Sequence, residues 1–127
     1  MISISFLAAL TLAQSAAPPA TSPAPPAQEA EAQLTSENRA VLRCSAAFAL
    51  VSHGQANGNE DAKKWPELTT RGREFFVRAL AGIMDDTGLD REGVSQLVSA
   101  EAQRLWDEGS INDVMPACLM MLETSGV

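Results

Sequence analysis

The fold is decided by the stretch Thr35-Ser-Glu-Asn-Arg-Ala-Val41-Leu-Arg-Cys44-Ser-Ala-Ala-Phe48-Ala-Leu-Val51-Ser-His53. Four of its apolar residues recur at steps of three, four and three, which places them on one face of a helix. They are Val41, Cys44, Phe48 and Val51. Thr35 or Ser36 can cap this helix, because a side-chain oxygen there accepts from a free first-turn amide. These signals predict a helix over residues 37–53 that ends at Gly54, followed by a polar loop over residues 54–62.

Two further helices are predicted after this loop. One begins near Trp65-Pro66, where proline is tolerated because first-turn amides have no helical partner, and stops at Asp86-Thr87-Gly88. The next begins at Asp90, a good N-cap, with Leu89 and Val94 in the two positions of a hydrophobic staple, and stops at Gly109. Their apolar stripes are Leu68, Phe75, Phe76, Ala79, Leu80 and Ile83 in one, and Val94, Leu97, Val98, Ala102 and Leu105 in the other.

The last helix carries a proline that sets its predicted start. Its stripe consists of Ile111, Val114, Met115, Cys118, Leu119 and Leu122. An N-cap at Asp113 places Pro116 in the first turn, where it costs little. Since the sequence shows no strand signal and no internal repeat, it predicts an all-α fold, a compact bundle of about four short helices.

The two cysteines lie on the stripes of the first and last predicted helices. Cys44 and Cys118 are the only cysteines of the chain, and in an exported protein two cysteines more often pair than stay free. A redox-active pair would favour a C-x-x-C spacing and an accessible thiolate, which the sequence does not suggest. We therefore predict one structural disulfide that closes most of the domain and stabilises it by at most about 4–5 kcal/mol.

The N-terminal part differs in composition from the rest. An apolar run from Ile2 to Ala13, followed by Ser15-Ala16-Ala17, has the layout of a secretory signal peptide, although no Lys or Arg precedes it. The run is short for a transmembrane anchor. Five of the seven prolines follow, at Pro18, Pro19, Pro23, Pro25 and Pro26. The sequence thus predicts a signal peptide over 1–17, a disordered Pro/Ala-rich linker over 18–33, a helical domain over 34–127, and a periplasmic or secreted location.

The net charge of the chain limits the classes of macromolecule that it can bind. The 127 residues carry a net charge of −7, and all charged side chains lie after position 28. Nucleic acids and anionic membranes require concentrated Lys and Arg, so both are poor candidates. A basic protein remains compatible with this charge.

Candidate chemical sites are few. His53 is the only histidine, and no cysteine or second histidine stands near it at zinc spacing. The loop Asn57-Gly-Asn-Glu-Asp61 resembles the start of a calcium loop, but an EF-hand would need Gly and Glu where Ala62 and Leu68 stand. Arg71, Arg78 and the phenylalanines between them are interpreted as a solvated face above a core. We predict no cofactor and no metal site at these positions.

One cluster of acidic residues provides an alternative hypothesis, a catalytic or metal-binding site. Asp85, Asp86, Asp90 and Glu92 surround the turn after the second predicted helix. Asp90 and Glu92 suit a helix start, where negative charge is favoured, whereas Asp85 and Asp86 lie at the unfavourable end of a helix. Paired carboxylates can serve as acid and base or bind a divalent ion.

The methionines of the last helix suggest a binding surface. If the stripe faces the core, Met120 points roughly away from it, because each helical residue turns by about 100°. Exposed methionine is adaptable apolar surface. We predict a partner surface formed by Met115, Met120 and Met121, with burial on both sides of the helix as the alternative.

A signal peptide, a Pro/Ala spacer and a short helical domain with one widely spaced cysteine pair resemble small exported proteins of Gram-negative bacteria. The layout is also similar to periplasmic acid-stress chaperones and to helical immunity proteins, without a motif specific to either. The likeness to chaperones implies a protein that holds exposed apolar surface in reserve. Export, acidity, the methionines of the last helix and the lack of a catalytic motif favour a non-enzymatic protein-binding module, acting either as a holdase or as a dedicated inhibitor or adaptor. The competing hypothesis is a small enzyme or metal-binding protein that uses the acidic cluster near residues 85–92.

Overall fold

The structure, a computed structural model, describes residues 27–127 of the chain, with side chains from residue 29 onward. This range contains six helices and no strand: α1 (Ala27–Gln33), α2 (Ser36–Ala56), α3 (Glu60–Lys63), α4 (Arg71–Thr87), α5 (Arg91–Glu108) and α6 (Ile111–Thr124). The predicted all-α bundle with one disulfide is confirmed, with two more helices than expected. The predicted signal peptide lies outside the described residues. No helix in the described range is both long and apolar enough to cross a bilayer.

The central helix is α2, which contacts α3, α4, α5 and α6. Its predicted cap is confirmed, since the Thr35 hydroxyl accepts from the Asn38 amide at 3.0 Å. Gly54 does not end the helix, as the sequence suggested, because α2 continues to Ala56. A Cβ added at Gly54 would lie 2.8 Å from the Ala62 Cβ. Glycine is therefore needed at this position so that α3 can approach α2.

The core is built on the stripe that the sequence predicted for α2. Cys44 and Cys118 form a disulfide with their Cα atoms 5.1 Å apart, which joins α2 to α6. The ring of Phe48 meets that of Phe75 in α4 edge to face, with centroids 5.2 Å apart. Glycine suits position 72 in α4, because a Cβ there would lie only 3.1 Å from the Leu68 Cβ. The disulfide and the ring pair therefore both anchor the core on α2.

The predicted linker boundary at residue 33 is wrong, because Ala27–Gln33 forms α1. This alanine-rich segment follows the last proline of the predicted linker, so nothing prevents a helical turn. Ala30 is buried in the core. The Arg39 guanidinium donates to the carbonyls of Glu31 at 3.1 Å and Leu34 at 3.3 Å, which satisfies groups at the C-terminal end of α1.

A set of ion pairs around one buried carboxylate also holds α1 against the bundle. Glu101 of α5, only 5 % exposed, accepts from Arg43 at 3.2 Å and from Arg104 at 2.5 Å. The second amino group of Arg104 donates to Glu31 at 2.8 Å. The bond to Glu31 and the nearby charge of Glu101 raise the pKa of Arg104 above its ordinary value. One buried carboxylate thus connects α1, α2 and α5.

Among the other predicted helices, two differ from the prediction, and each does so only at its start. The ends at Gly88 and Gly109 are confirmed, and both glycines have positive φ, 72° and 63°. The Asp90 cap is confirmed at 2.8 Å from the Gly93 amide. However, α4 begins at Arg71 rather than near Trp65, because the chain first forms α3 and an irregular segment. Helix α6 begins at Ile111 rather than after Asp113, which leaves Pro116 inside the helix. Pro116 is exposed, so the missing amide does not deprive the core of a hydrogen bond.

Candidate functional site: a cleft lined by two tryptophans

The predicted methionine surface is only partly present. Met115 is completely buried, at 0 % exposure, so its assignment to a partner surface is wrong. Met121 is half-buried against the core. Met120 is 72 % exposed. The helix stripe explains this outcome, because Met115 lies one turn before Cys118 on the face that the disulfide draws into the core. Met120 is thus the one methionine of the predicted surface that is largely exposed, and a single side chain is too small to form a partner surface.

The acidic cluster has structural roles in place of a shared site. Asp86 accepts from the Asn38 side chain at 3.1 Å, beside the first turn of α2, where negative charge is favoured. Asp90 caps α5, and Glu92 lies in the first turn of that helix. Within residues 27–127, no group of three or more His, Cys, Asp or Glu side chains could hold a metal ion.

The described residues form a cleft of about 610 Å³, a volume within the range of small-molecule pockets. It lies where the end of α2, the short α3, and the junction of α5 and α6 meet. Its lining includes both tryptophans of the chain, Trp65 and Trp106. The remaining lining residues are aliphatic or small and polar: Leu50, Val51, His53, Gly54, Asn57, Gly58, Asn59, Asp61, Ala62, Gly109, Ile111 and Asn112. We refer to this feature as the tryptophan cleft.

Trp65 is held in place by hydrogen bonds from two directions. Its indole Nε1 donates to the Asn112 Oδ1 at 3.0 Å, which joins the α3 side of the cleft to α6. The side-chain amide of Gln55 donates to the carbonyls of Ala62, Trp65 and Pro66 at 3.1, 3.2 and 2.9 Å. The Gln55 oxygen accepts from the Leu68 amide at 3.2 Å. A single side chain of α2 thus fixes the irregular segment that carries Trp65.

Trp106 forms the opposite, open part of the cleft. It lies in the last turn of α5 and is 64 % exposed. Gly109, in the left-handed conformation, turns the chain directly into α6. Because helices flank it on both sides, the Trp106 backbone has little freedom. Its indole is therefore a large apolar surface presented to solvent from a rigid support.

The floor of the cleft is formed by the end of α2. The Asn57 side chain donates to the His53 carbonyl at 2.8 Å and satisfies one of the last carbonyls of this helix. Asn59 caps α3 by accepting from the Ala62 amide at 3.2 Å. The loop that the sequence compared with a calcium site is therefore a turn that ends one helix and starts the next. His53 is exposed on this floor.

The lining of the cleft is mainly apolar and contains few ionisable side chains. The side chains around the cleft include one imidazole and one carboxylate, with no cysteine, serine, lysine or arginine among them. A nucleophile with an adjacent base, which covalent catalysis requires, is not formed by these residues. Two indoles, three aliphatic side chains and several amides are instead typical of a surface that binds through apolar contact and a few hydrogen bonds.

No family model, no curated protein and no solved structure matches this chain. The resemblance to exported Gram-negative proteins stays a prediction. Any statement about function therefore depends on the geometry of the described residues.

Sequence reasoning missed this cleft. The sequence places Trp65 at a helix start and Trp106 at the edge of the apolar stripe of its helix. One signal for Trp106 is that Asp107 and Glu108 follow it directly, which favours a solvent-facing end of the helix. That both tryptophans line one cleft depends on how the helices pack, which no local pattern encodes.

Proposed function

We propose that the chain is an exported, non-enzymatic module that binds another protein through the tryptophan cleft. The observation that carries this proposal is the pair of indoles that line one cleft, Trp65 half-buried and bonded to Asn112, and Trp106 64 % exposed. Tryptophan is among the residues most enriched at the energetic centres of protein interfaces. Large exposed apolar side chains that belong to a shaped cleft favour a binding site over accidental exposure.

The proposal favours a dedicated binder over a holdase. A holdase requires surface that adapts to many clients, for which flexible methionines are suited. Here Met115 is buried, whereas Trp65 is fixed by its bond to Asn112 and by Gln55. A site formed in advance loses little conformational entropy on binding. Rigid aromatic surface therefore supports recognition of a defined partner.

Export is supported by the N-terminal composition and by the disulfide. Disulfides persist in oxidising compartments and are rare in the cytosol. When the full chain is expressed in a Gram-negative host, we expect the osmotic-shock fraction to contain a shortened, oxidised protein. Intact mass would locate the new N-terminus near residue 17. A full-length protein with free thiols in the cytosol would contradict export.

Binding is tested by affinity capture from envelope extract with the full, oxidised protein. We expect one or two stoichiometric partners, which Trp106→Ala loses because the exposed indole is removed. The matched control is Val77→Ala, which removes an apolar side chain of similar exposure, 61 %, from α4. Equal capture by the wild type and both variants, or no capture by any of them, would contradict the proposed function.

A further inference from the structure

We propose that the tryptophan cleft receives a basic segment of its partner, with a lysine or arginine side chain lying on the face of Trp106. This inference rests on the proposed function and specifies the chemistry of the partner.

Exposed carboxylates lie directly beside the lining residues of the wall that carries Trp106. Asp107 and Glu108 directly follow Trp106, and Asp113 directly follows the lining residue Asn112. All three side chains are exposed. No lysine, arginine or histidine occurs after Arg104 in the sequence. A partner that covers this wall therefore contacts carboxylates, and no positively charged side chain of the same wall neutralises them.

The neighbouring cations of the chain are already engaged. Both outer groups of Arg104 are bonded, one to Glu101 and one to Glu31. On the other side of the cleft, Lys63 pairs with Glu60 at 3.4 Å and Lys64 pairs with Asp61 at 3.8 Å. The charges of α3 thus compensate one another, whereas those beside Trp106 are not compensated by the ion pairs formed within residues 27–127.

An exposed indole is the preferred aromatic partner for a cation. A guanidinium or ammonium group over the face of tryptophan is attracted by the negative face of the ring, and nearby carboxylates add a second attraction of the same sign. Nucleic acid and anionic lipid are repelled by the same carboxylates. Among macromolecules, a basic protein segment is therefore the occupant whose charge complements this wall.

The test uses two short peptides as probes, one rich in arginine and one in which every arginine is replaced by glutamine. The full, oxidised protein shows two indole N–H signals in a heteronuclear NMR spectrum, one for each tryptophan. We expect the arginine peptide to shift the Trp106 signal, to bind at least about tenfold more tightly than the glutamine peptide, and to weaken as salt is added.

Three variants separate the contributions. Trp106→Ala should weaken the arginine peptide by about threefold to thirtyfold, the range of a cation–π contact. Asp107→Asn combined with Glu108→Gln should weaken it while leaving the glutamine peptide unchanged. Val77→Ala, on α4, should change neither affinity.

Two results would overturn the inference. Equal affinity for the two peptides would show an apolar site without charge preference, and the proposed function would stand. Failure of the arginine peptide to shift the Trp106 signal would reject a basic occupant. In that case, if capture of a partner still depended on Trp106, the proposed function would stand and only this inference would be rejected.

Discussion

The aromatic residues divide between two regions with opposite properties. In the core, Phe48 and Phe75 meet edge to face and are almost completely buried, beside the buried disulfide. In the tryptophan cleft, Trp106 is mostly exposed, and Trp65 is half-buried with its indole N–H bonded to Asn112. Burial of a ring stabilises the fold, whereas exposure of a ring on a rigid support leaves its apolar surface for a partner. The account therefore predicts that core changes reduce stability and cleft changes reduce binding.

The largest effect is expected from loss of the disulfide. Replacing Cys44 and Cys118 by alanine, or reducing them, should lower the free energy of unfolding by about 4–5 kcal/mol at most, because a long loop is no longer closed in the unfolded chain. Denaturant unfolding of the oxidised and reduced protein measures this difference. Coincident unfolding curves would show that the covalent link is not what stabilises the core.

The second largest loss of stability is expected from removing one ring of the Phe48–Phe75 pair. Phe48→Ala should lower the free energy of unfolding by about 3–5 kcal/mol, because it removes a buried side chain and leaves a cavity beside Phe75. Thermal unfolding followed by circular dichroism measures the loss. A loss below about 1 kcal/mol would contradict the placement of this ring in a packed core.

A third prediction concerns charge rather than rings. Glu101→Gln should lower the free energy of unfolding by about 1–3 kcal/mol, because Arg43 and Arg104 lose a buried carboxylate. Glu123→Gln is the matched control. It breaks the exposed pair with Arg71 at 2.9 Å, and such pairs contribute about 0–1 kcal/mol. Equal losses in the two variants would contradict the distinction between the buried and the exposed pair.

The smallest effect on stability is expected in the cleft. Trp106→Ala should change the free energy of unfolding by no more than about 0.5 kcal/mol, since the side chain is mostly exposed. Chemical denaturation checks this expectation. A loss comparable with that of Phe48→Ala would show that Trp106 stabilises the fold, and its role as a free binding surface would be withdrawn.

Much of the core could be predicted from sequence, because its signals are local. The Thr35 and Asp90 caps, the left-handed glycines at the ends of α4 and α5, and the pairing of the cysteines each depend on a few neighbouring residues or on the compartment. These signals fix the helix ends and the buried stripe of α2. Helix α1 was missed because its bond to Arg104 is distant in sequence, while the prolines before it favour a linker.

The cleft could not be predicted, for the same physical reason. Helix α3 has only four residues, too few to show a hydrophobic period. The bonds from Gln55 that position Trp65 run from a helix to an irregular segment, and a glutamine inside a helix carries no sign of them. Trp65, which follows α3, bonds to Asn112 of α6, and the two residues are far apart in the sequence. Binding residues held by such distant contacts become visible only when the packing of the helices is known.

The central claim, that the cleft and not the rest of the surface binds the partner, is tested most directly by crosslinking in cells. A photoreactive phenylalanine analogue is introduced at Trp106 in one full-length protein and at Val77 in another, and both are irradiated in a Gram-negative host. The account predicts a discrete crosslinked species from position 106 and none from position 77. Crosslinks of equal yield at the two positions, or at position 77 alone, would contradict it.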